Sequence, residues 1–145
     1  MMRIKDPKAS LHFYQEILGM ELVHEMDGGD FVNYFLAFPE EGSEKLSKEE
    51  KSARKFQREG VLELCWNKGT ENDPDFKYAN GNDEGRGFGH VAVAVEDVEA
   101  ECARLTKAGV AFKKRPEDGK MRHIAFIYDP DRYWIEIVPQ GGLNK

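Results

Sequence analysis

Two glutamates stand inside apolar strands, where a charge needs a reason to be. Glu63 lies in Val61-Leu62-Glu63-Leu64-Cys65-Trp66, and Glu136 in Tyr133-Trp134-Ile135-Glu136-Ile137-Val138. Burying an unpaired carboxylate is costly. Side chains alternate faces along a strand, so Leu62 and Leu64 share one face and Glu63 takes the other. Ile135 and Ile137 stand in the same relation to Glu136. Each strand seals its outer face with aliphatics and aims a carboxylate at a common interior. One such glutamate would be accounted for by an edge strand or a buried ion pair; two in matching strands point to a shared task. His90 opens Val91-Ala92-Val93-Ala94-Val95 after Gly87-Phe88-Gly89. A lone histidine at a strand start is more often structural. In company with two carboxylates it completes the donor types of a catalytic divalent-metal site.

The elements that must position these residues occur twice. Asp6 is a good N-cap and Pro7 suits the first helical position. Leu11, Tyr14 and Leu18 then fall on one helical face, and Gly19 is a natural left-handed stop. The same order returns after Val91–Val95, with Asp97 as cap, Ala100, Leu105 and Ala108 at helical spacing, and Gly109 as stop. The caps are 91 residues apart, and the helices differ in length by one residue. The glutamate strands are only 73 apart, so an insertion of about 18 residues belongs in the first unit. The polar, Lys/Glu-rich stretch from Glu40 to Arg58 fits it, read as an exposed helix or loop. Val32–Phe38 and Ile124–Tyr128 supply further strands, and Asp129-Pro130-Asp131 a turn. Each unit therefore reads β-α-β-β-β. The class is α+β: two βαβββ modules, about 1–75 and 86–140, with helices outside curved mixed sheets, in one domain over 1–145.

Bulk properties narrow the function. At 145 residues with 40% hydrophobic and 33% charged side chains, the chain has globular composition. A net charge of -6 argues against nucleic acid as a partner. No apolar run approaches the roughly 18 residues of a membrane span, and the start carries no secretory signal pattern. Cys65 and Cys102 form no CxxC and read as small buried apolar residues in a reduced, cytoplasmic setting.

The residues together resemble glyoxalase I (lactoylglutathione lyase) of the vicinal-oxygen-chelate superfamily. The resemblance rests on Arg3-Ile4-Lys5-Asp6-Pro7, Leu62-Glu63-Leu64, Asn67 with Gly69-Thr70-Glu71, Asn80-Gly81-Asn82, and Gly87-Phe88-Gly89-His90. It continues through Asp118-Gly119-Lys120-Met121 and Asp129-Pro130-Asp131 to Tyr133-Trp134-Ile135-Glu136. It implies Glu63, His90 and Glu136 as metal ligands. The 40–58 insertion resembles the longer, eukaryotic-type enzymes, which implies zinc ahead of nickel or another divalent ion. A fourth ligand, Gln or His, is expected two places before Met1, where the repeat arithmetic also puts the counterpart of His90. Arg3, Asn67, Arg86, Lys114 and Lys120 match glutathione-binding positions, with Met121 and Trp134 lining the same site. Read by itself, Lys113-Lys114-Arg115 is a solvated basic loop.

The implied reaction is methylglyoxal detoxification. The hemithioacetal of methylglyoxal and glutathione becomes S-lactoylglutathione by proton transfer through a metal-stabilised enediolate. Glu136 is the implied general base and Glu63 its opposite-face partner. The family shares its sites between modules, which implies a homodimer or a tandem pairing in which Glu63 faces the His90 and Glu136 of its neighbour. Two alternatives stand beside this. One is an iron-dependent extradiol dioxygenase on the same fold, which would use two histidines and one carboxylate. The other is a catalytically impaired or non-catalytic glyoxalase-like module that binds glutathione conjugates.

Overall fold

The computed structural model describes residues 1–142. The chain divides into two compact units, Met1–Tyr78 and the segment from Ala79 onward. The first holds β1 (Met2–Ile4), α1 (Pro7–Leu11, continued by a π-helical His12–Ile17), β2 (Glu21–Asp27), β3 (Phe31–Ala37), α2 (Lys48–Arg54) and β4 (Leu62–Asn67). The second holds β5 (His90–Val95), α3 (Val98–Lys107), β6 (Phe112–Lys114), β7 (Ala125–Tyr128) and β8 (Trp134–Pro139). The sheets run β1-β4-β3-β2 and β5-β8-β7-β6, the same order twice.

Register makes the repeat quantitative. In the parallel pairs, Met2, Arg3 and Ile4 face Leu64, Cys65 and Trp66. Val93, Ala94 and Val95 face Ile137, Val138 and Pro139. Shifting the first set by 91 and 73 residues gives the second, pair for pair. In the antiparallel pairs, Phe35 faces Glu63 and Phe126 faces Glu136, again at offsets of 91 and 73. The offset changes between β3 and β4, so the 18-residue surplus lies where the polar stretch from Glu40 to Arg58 was expected. Core positions repeat with the same spacing. Tyr14 and Leu105, Leu36 and Ile127, and Leu64 and Ile137 are all 0–1% exposed.

The helices begin as the residue types dictate. The Asp6 carboxylate accepts from the backbone N–H of Lys8 and Ala9, and the Asp97 carboxylate from that of Ala100. They end at Gly19 and Gly109, with φ of 82° and 76°. Between cap and stop the first unit has one residue more, and the helix absorbs it. Leu18 N–H donates to Phe13 O, five residues back, at 2.9 Å. Met20 N–H then reaches Tyr14 O across six residues, where Val110 N–H reaches Leu105 O across five. A π turn is the form an extra helical residue takes when both helix ends are held. The edge strands that follow are also alike. Register slips between Leu22 and His24, and again between Phe112 and Lys114.

The inserted segment docks on β2. Ser47 caps α2 with a full capping box to Glu50. Lys51 Nζ and Arg58 Nη1 reach the Glu21 carboxylate at 2.5 and 2.7 Å, and Ser52 Oγ lies 2.8 Å from His24 Nδ1. Burial pushes the Glu21 carboxyl up, but hydrogen bonds and charge from Lys51 and Arg58 outweigh it and hold it below its ordinary value. Such a group stabilises the fold above its unfolded pKa and loses that contribution as pH falls through the folded one. Glu21→Gln should therefore lower Tm at neutral pH, with the deficit against the parent shrinking as the pH is taken down through the carboxylate range. Paired thermal melts read this directly; a deficit that ignores pH would assign the loss to packing alone.

Candidate metal and substrate site

The parallel β5–β8 ladder sets His90 opposite Trp134 and Ala92 opposite Glu136. His90 and Glu136 are diagonal neighbours on one face, with His90 Nε2 3.2 Å from Glu136 Oε2. Two ligands bound about 2.1 Å from one cation lie roughly 3.0–3.4 Å apart, so this pair fits as two adjacent corners of a divalent-metal shell. The Phe126 ring stands edge-on to His90 at 5.2 Å and to Trp134 at 5.8 Å, giving the pair an aromatic wall. Lys113 Nζ sits 5.0 Å from the Trp134 ring centroid, and Trp134 Nε1 is buried without a hydrogen-bond partner among the described residues.

Glu63 belongs to the other unit and has a different partner. Asn33 Nδ2 donates to Glu63 Oε1 at 2.7 Å, while Asn33 Oδ1 is buried and accepts from none of the described residues. Leu64 beside Glu63 is fully buried on the opposite face, as alternation requires. Within the second unit the structure thus brings together His90 and Glu136, while Glu63 stands in the first. Among the described residues no three His, Cys, Asp or Glu side chains group so as to hold a metal ion. Cys65 and Cys102 are free and buried, and burial pushes both thiols up.

The residues matched to glutathione binding fall on strand ends and loops. Arg3 is exposed on β1. Asn67 closes β4 and donates to Tyr78 Oη at 3.0 Å. Lys120 and Met121 are exposed on the loop between β6 and β7. Lys114 does not project as a free cation. Its ammonium donates to Arg115 O, Met121 O and Ile124 O at 3.0, 2.6 and 3.1 Å, pinning that loop from within. The basic run is therefore not plainly solvated: Lys113 covers Trp134, Lys114 staples the loop, and Arg115 stacks on Phe112 at 4.0 Å. Sequence reasoning passed over Asn33 and Tyr78. Neither carries a local signal, because each acts on a residue distant in the chain.

Arg86 sits in a loop held by its own polar residues. Buried Asn80 accepts from the N–H of Asn82 and Asp83 through Oδ1, and donates to Asp83 Oδ2 at 2.7 Å. Gly87 N–H returns to Gly81 O at 3.0 Å, and Arg86 adopts a positive φ of 37°. That conformation is unusual for a side-chain-bearing residue and marks a held geometry.

The chain belongs to the Glyoxalase/Bleomycin resistance protein/Dioxygenase superfamily, whose model matches residues 1–137. Its curated relatives are lactoylglutathione lyases, which places it in the glyoxalase I family of that group. It is 47% identical to the Pseudomonas aeruginosa lactoylglutathione lyase, covering 99% of this chain and 81% of that one. It is 46% identical to the Schizosaccharomyces pombe lactoylglutathione lyase over 97% of this chain, and spans 46% of that relative's length. The chain thus covers less than half of its yeast relative. Among solved structures, the trypanothione-dependent glyoxalase I of Leishmania major superposes with a TM-score of 0.70 at 28% identity, over 97% of this chain and 84% of that one. Maize glyoxalase I gives 0.68 at 28% identity, over 96% and 43%. These likenesses agree with the paired four-stranded sheets and the α+β class.

The Arg86 loop yields a test. A Cβ at Gly81 (φ 81°) would meet Phe88 O at 2.2 Å, whereas one at Gly119 (φ 78°) meets nothing. Gly119→Ala should cost about 1 kcal/mol by conformation alone, and Gly81→Ala clearly more. Denaturant titration of the two variants reads the difference; equal costs would mean that the loop gives way freely.

Proposed function

We propose that this chain is a metal-dependent lactoylglutathione lyase. It converts the hemithioacetal of methylglyoxal and glutathione into S-lactoylglutathione. The observation that carries the reading is the 3.2 Å pairing of His90 with Glu136 on adjacent parallel strands, at ligand-edge distance. His90, Glu136 and Glu63 are the residues that would hold the cation, with zinc the expected metal. When bound it would supply Lewis-acid polarisation of the substrate oxygens.

The chain's own residues do the rest. Glu136 takes the proton from the sulfur-bearing carbon and delivers it to the neighbouring carbon. The hydroxyl proton passes to the former carbonyl oxygen, so a hydroxy ketone becomes a hydroxy thioester with no net oxidation. Glu136 suits the task because only the His90 imidazole is recorded beside it among the described residues, whereas Glu63 is tied by Asn33. Arg3, Arg86 and Lys120 would take the glutathione carboxylates by charge-assisted hydrogen bonds, with Asn67 beside them. Lys114 would act by fixing the loop that carries Lys120 and Met121. Phe126 and Trp134 would keep water from the reacting carbons. Because Glu63 lies in one unit and His90 with Glu136 in the other, we read the working form as a pairing of modules. A homodimer is the simplest case, with a tandem arrangement as the alternative. Two unpaired buried cysteines suit a reducing, cytoplasmic setting.

The test is thioester formation from methylglyoxal and glutathione by the zinc-reloaded chain. Turnover is expected to vanish on chelation and return with zinc. Glu136→Gln should lower kcat by at least about a hundredfold with KM little changed. The absence of a three-donor group among the described residues keeps one other reading in view, a module that binds glutathione conjugates without turnover. Conjugate binding by a zinc-reloaded chain that forms no thioester would establish that reading instead.

A further inference from the structure

Asn33 is out of place in its strand. Its neighbours Val32, Tyr34, Phe35 and Leu36 are buried, and Asn33 itself is 9% exposed. The repeat supplies an internal control. Tyr34 pairs with Leu64 as Ala125 pairs with Ile137, so the counterpart of Asn33 is Ile124, an apolar residue 4% exposed. The fold is therefore satisfied by an aliphatic side chain here, and the amide answers a need that packing does not explain.

The amide's orientation follows from charge. Its NH2 must face the Glu63 carboxylate, as it does at 2.7 Å, since the reversed amide would set oxygen against oxyanion. Oδ1 is then left buried with no donor from the described residues. An unpaired buried acceptor is a standing cost that an aliphatic side chain of similar size would remove. Its position beside a carboxylate assigned to the reacting centre suggests that the missing donor arrives with the substrate.

We propose that Asn33 is a specificity-determining residue. Its Oδ1 accepts a hydrogen bond from the hydroxyl borne by the reacting carbons, while its Nδ2 keeps Glu63 turned toward them. This rests on the lyase reading of the site. It assigns the hydroxyl-bearing form of the acyl-glutathione ligand as the one recognised, over an otherwise identical ligand lacking that group. A site built to hydrogen-bond a hydroxyl discriminates against the analogue without it, because its own polar group is then left unpaired.

The experiment compares S-lactoylglutathione with S-propionylglutathione, which differ by that single hydroxyl. Binding to the zinc-loaded parent and to Asn33→Leu and Asn33→Ala is measured by titration calorimetry, with Tm recorded for each protein. The parent should prefer the lactoyl compound, and both variants should lose roughly tenfold of that preference while binding the propionyl compound about as before. Asn33→Leu removes the unpaired acceptor and the donor to Glu63 together, two opposing effects, so its Tm should stay close to the parent's. An unchanged preference in the variants overturns the assignment and gives Oδ1 to a bound water. An equal loss of affinity for both compounds also overturns it, reducing Asn33 to a structural support of Glu63. If the parent binds neither conjugate, the lyase reading itself fails, which is a different result from either of these.

Discussion

Each unit depends on one contact, the parallel ladder between its first strand and its last. The last strand returns to lie between the first and the third. That return brings residues far apart in sequence onto neighbouring strands, and it alone makes His90 and Glu136 diagonal neighbours. A parallel pair cannot be closed by a tight turn; it needs a long crossover. The intervening helix and two antiparallel strands form that crossover. Their aliphatics fill the face of the sheet opposite the carboxylate. The buried Ile135 and Ile137 on either side of Glu136 are thus part of what presents it. Alternation leaves no freedom here, since a slip of one residue would bury the charge and expose both isoleucines.

Much of this was legible because the repeat is conserved in register as well as in pattern. Offsets read between caps and between glutamate strands reappear as pairs of strand partners, and their difference located the inserted segment before any fold was known. Caps and stops were legible for a local reason: Asp6, Asp97, Gly19 and Gly109 act on backbone groups within a few residues. What escaped was nonlocal. The Asn33–Glu63 bond joins two strands and depends on their register, and nothing in Phe31-Val32-Asn33-Tyr34 announces it. The three carbonyls around the Lys114 ammonium depend on how a loop folds back, which composition does not describe. The π turn is an intermediate case. The one-residue surplus was visible in the spacing, but its conformational form follows only once both helix ends are anchored.

The two glutamates show how equivalent positions acquire different work. Backbone placement and cross-strand aromatic partner are the same, Phe35 for Glu63 and Phe126 for Glu136. The diagonal neighbours differ, an amide in one unit and an isoleucine in the other. Glu136 has an imidazole beside it at a distance suited to sharing a cation. A carboxylate accepting a short amide hydrogen bond is oriented and loses freedom, whereas one beside an imidazole can exchange partners. The different surroundings of the two glutamates therefore need changes only in the side chains around each carboxylate, with the strand register left as it is.

The π turn after α1 has a consequence for how such a chain can change over time. It works as an expansion joint: a residue gained between Asp6 and Gly19 is taken up as a local widening, and the strands beyond keep their pairing. Tyr14 remains the counterpart of Leu105 on the near side of the joint, 91 residues on, and Leu22 that of Phe112 on the far side, 90 residues on, where both edge strands show the same register slip. Length variation in this helix is thereby uncoupled from the sheet that carries Glu63. A single-residue insertion, ordinarily disruptive in a packed element, is accommodated within the helix itself.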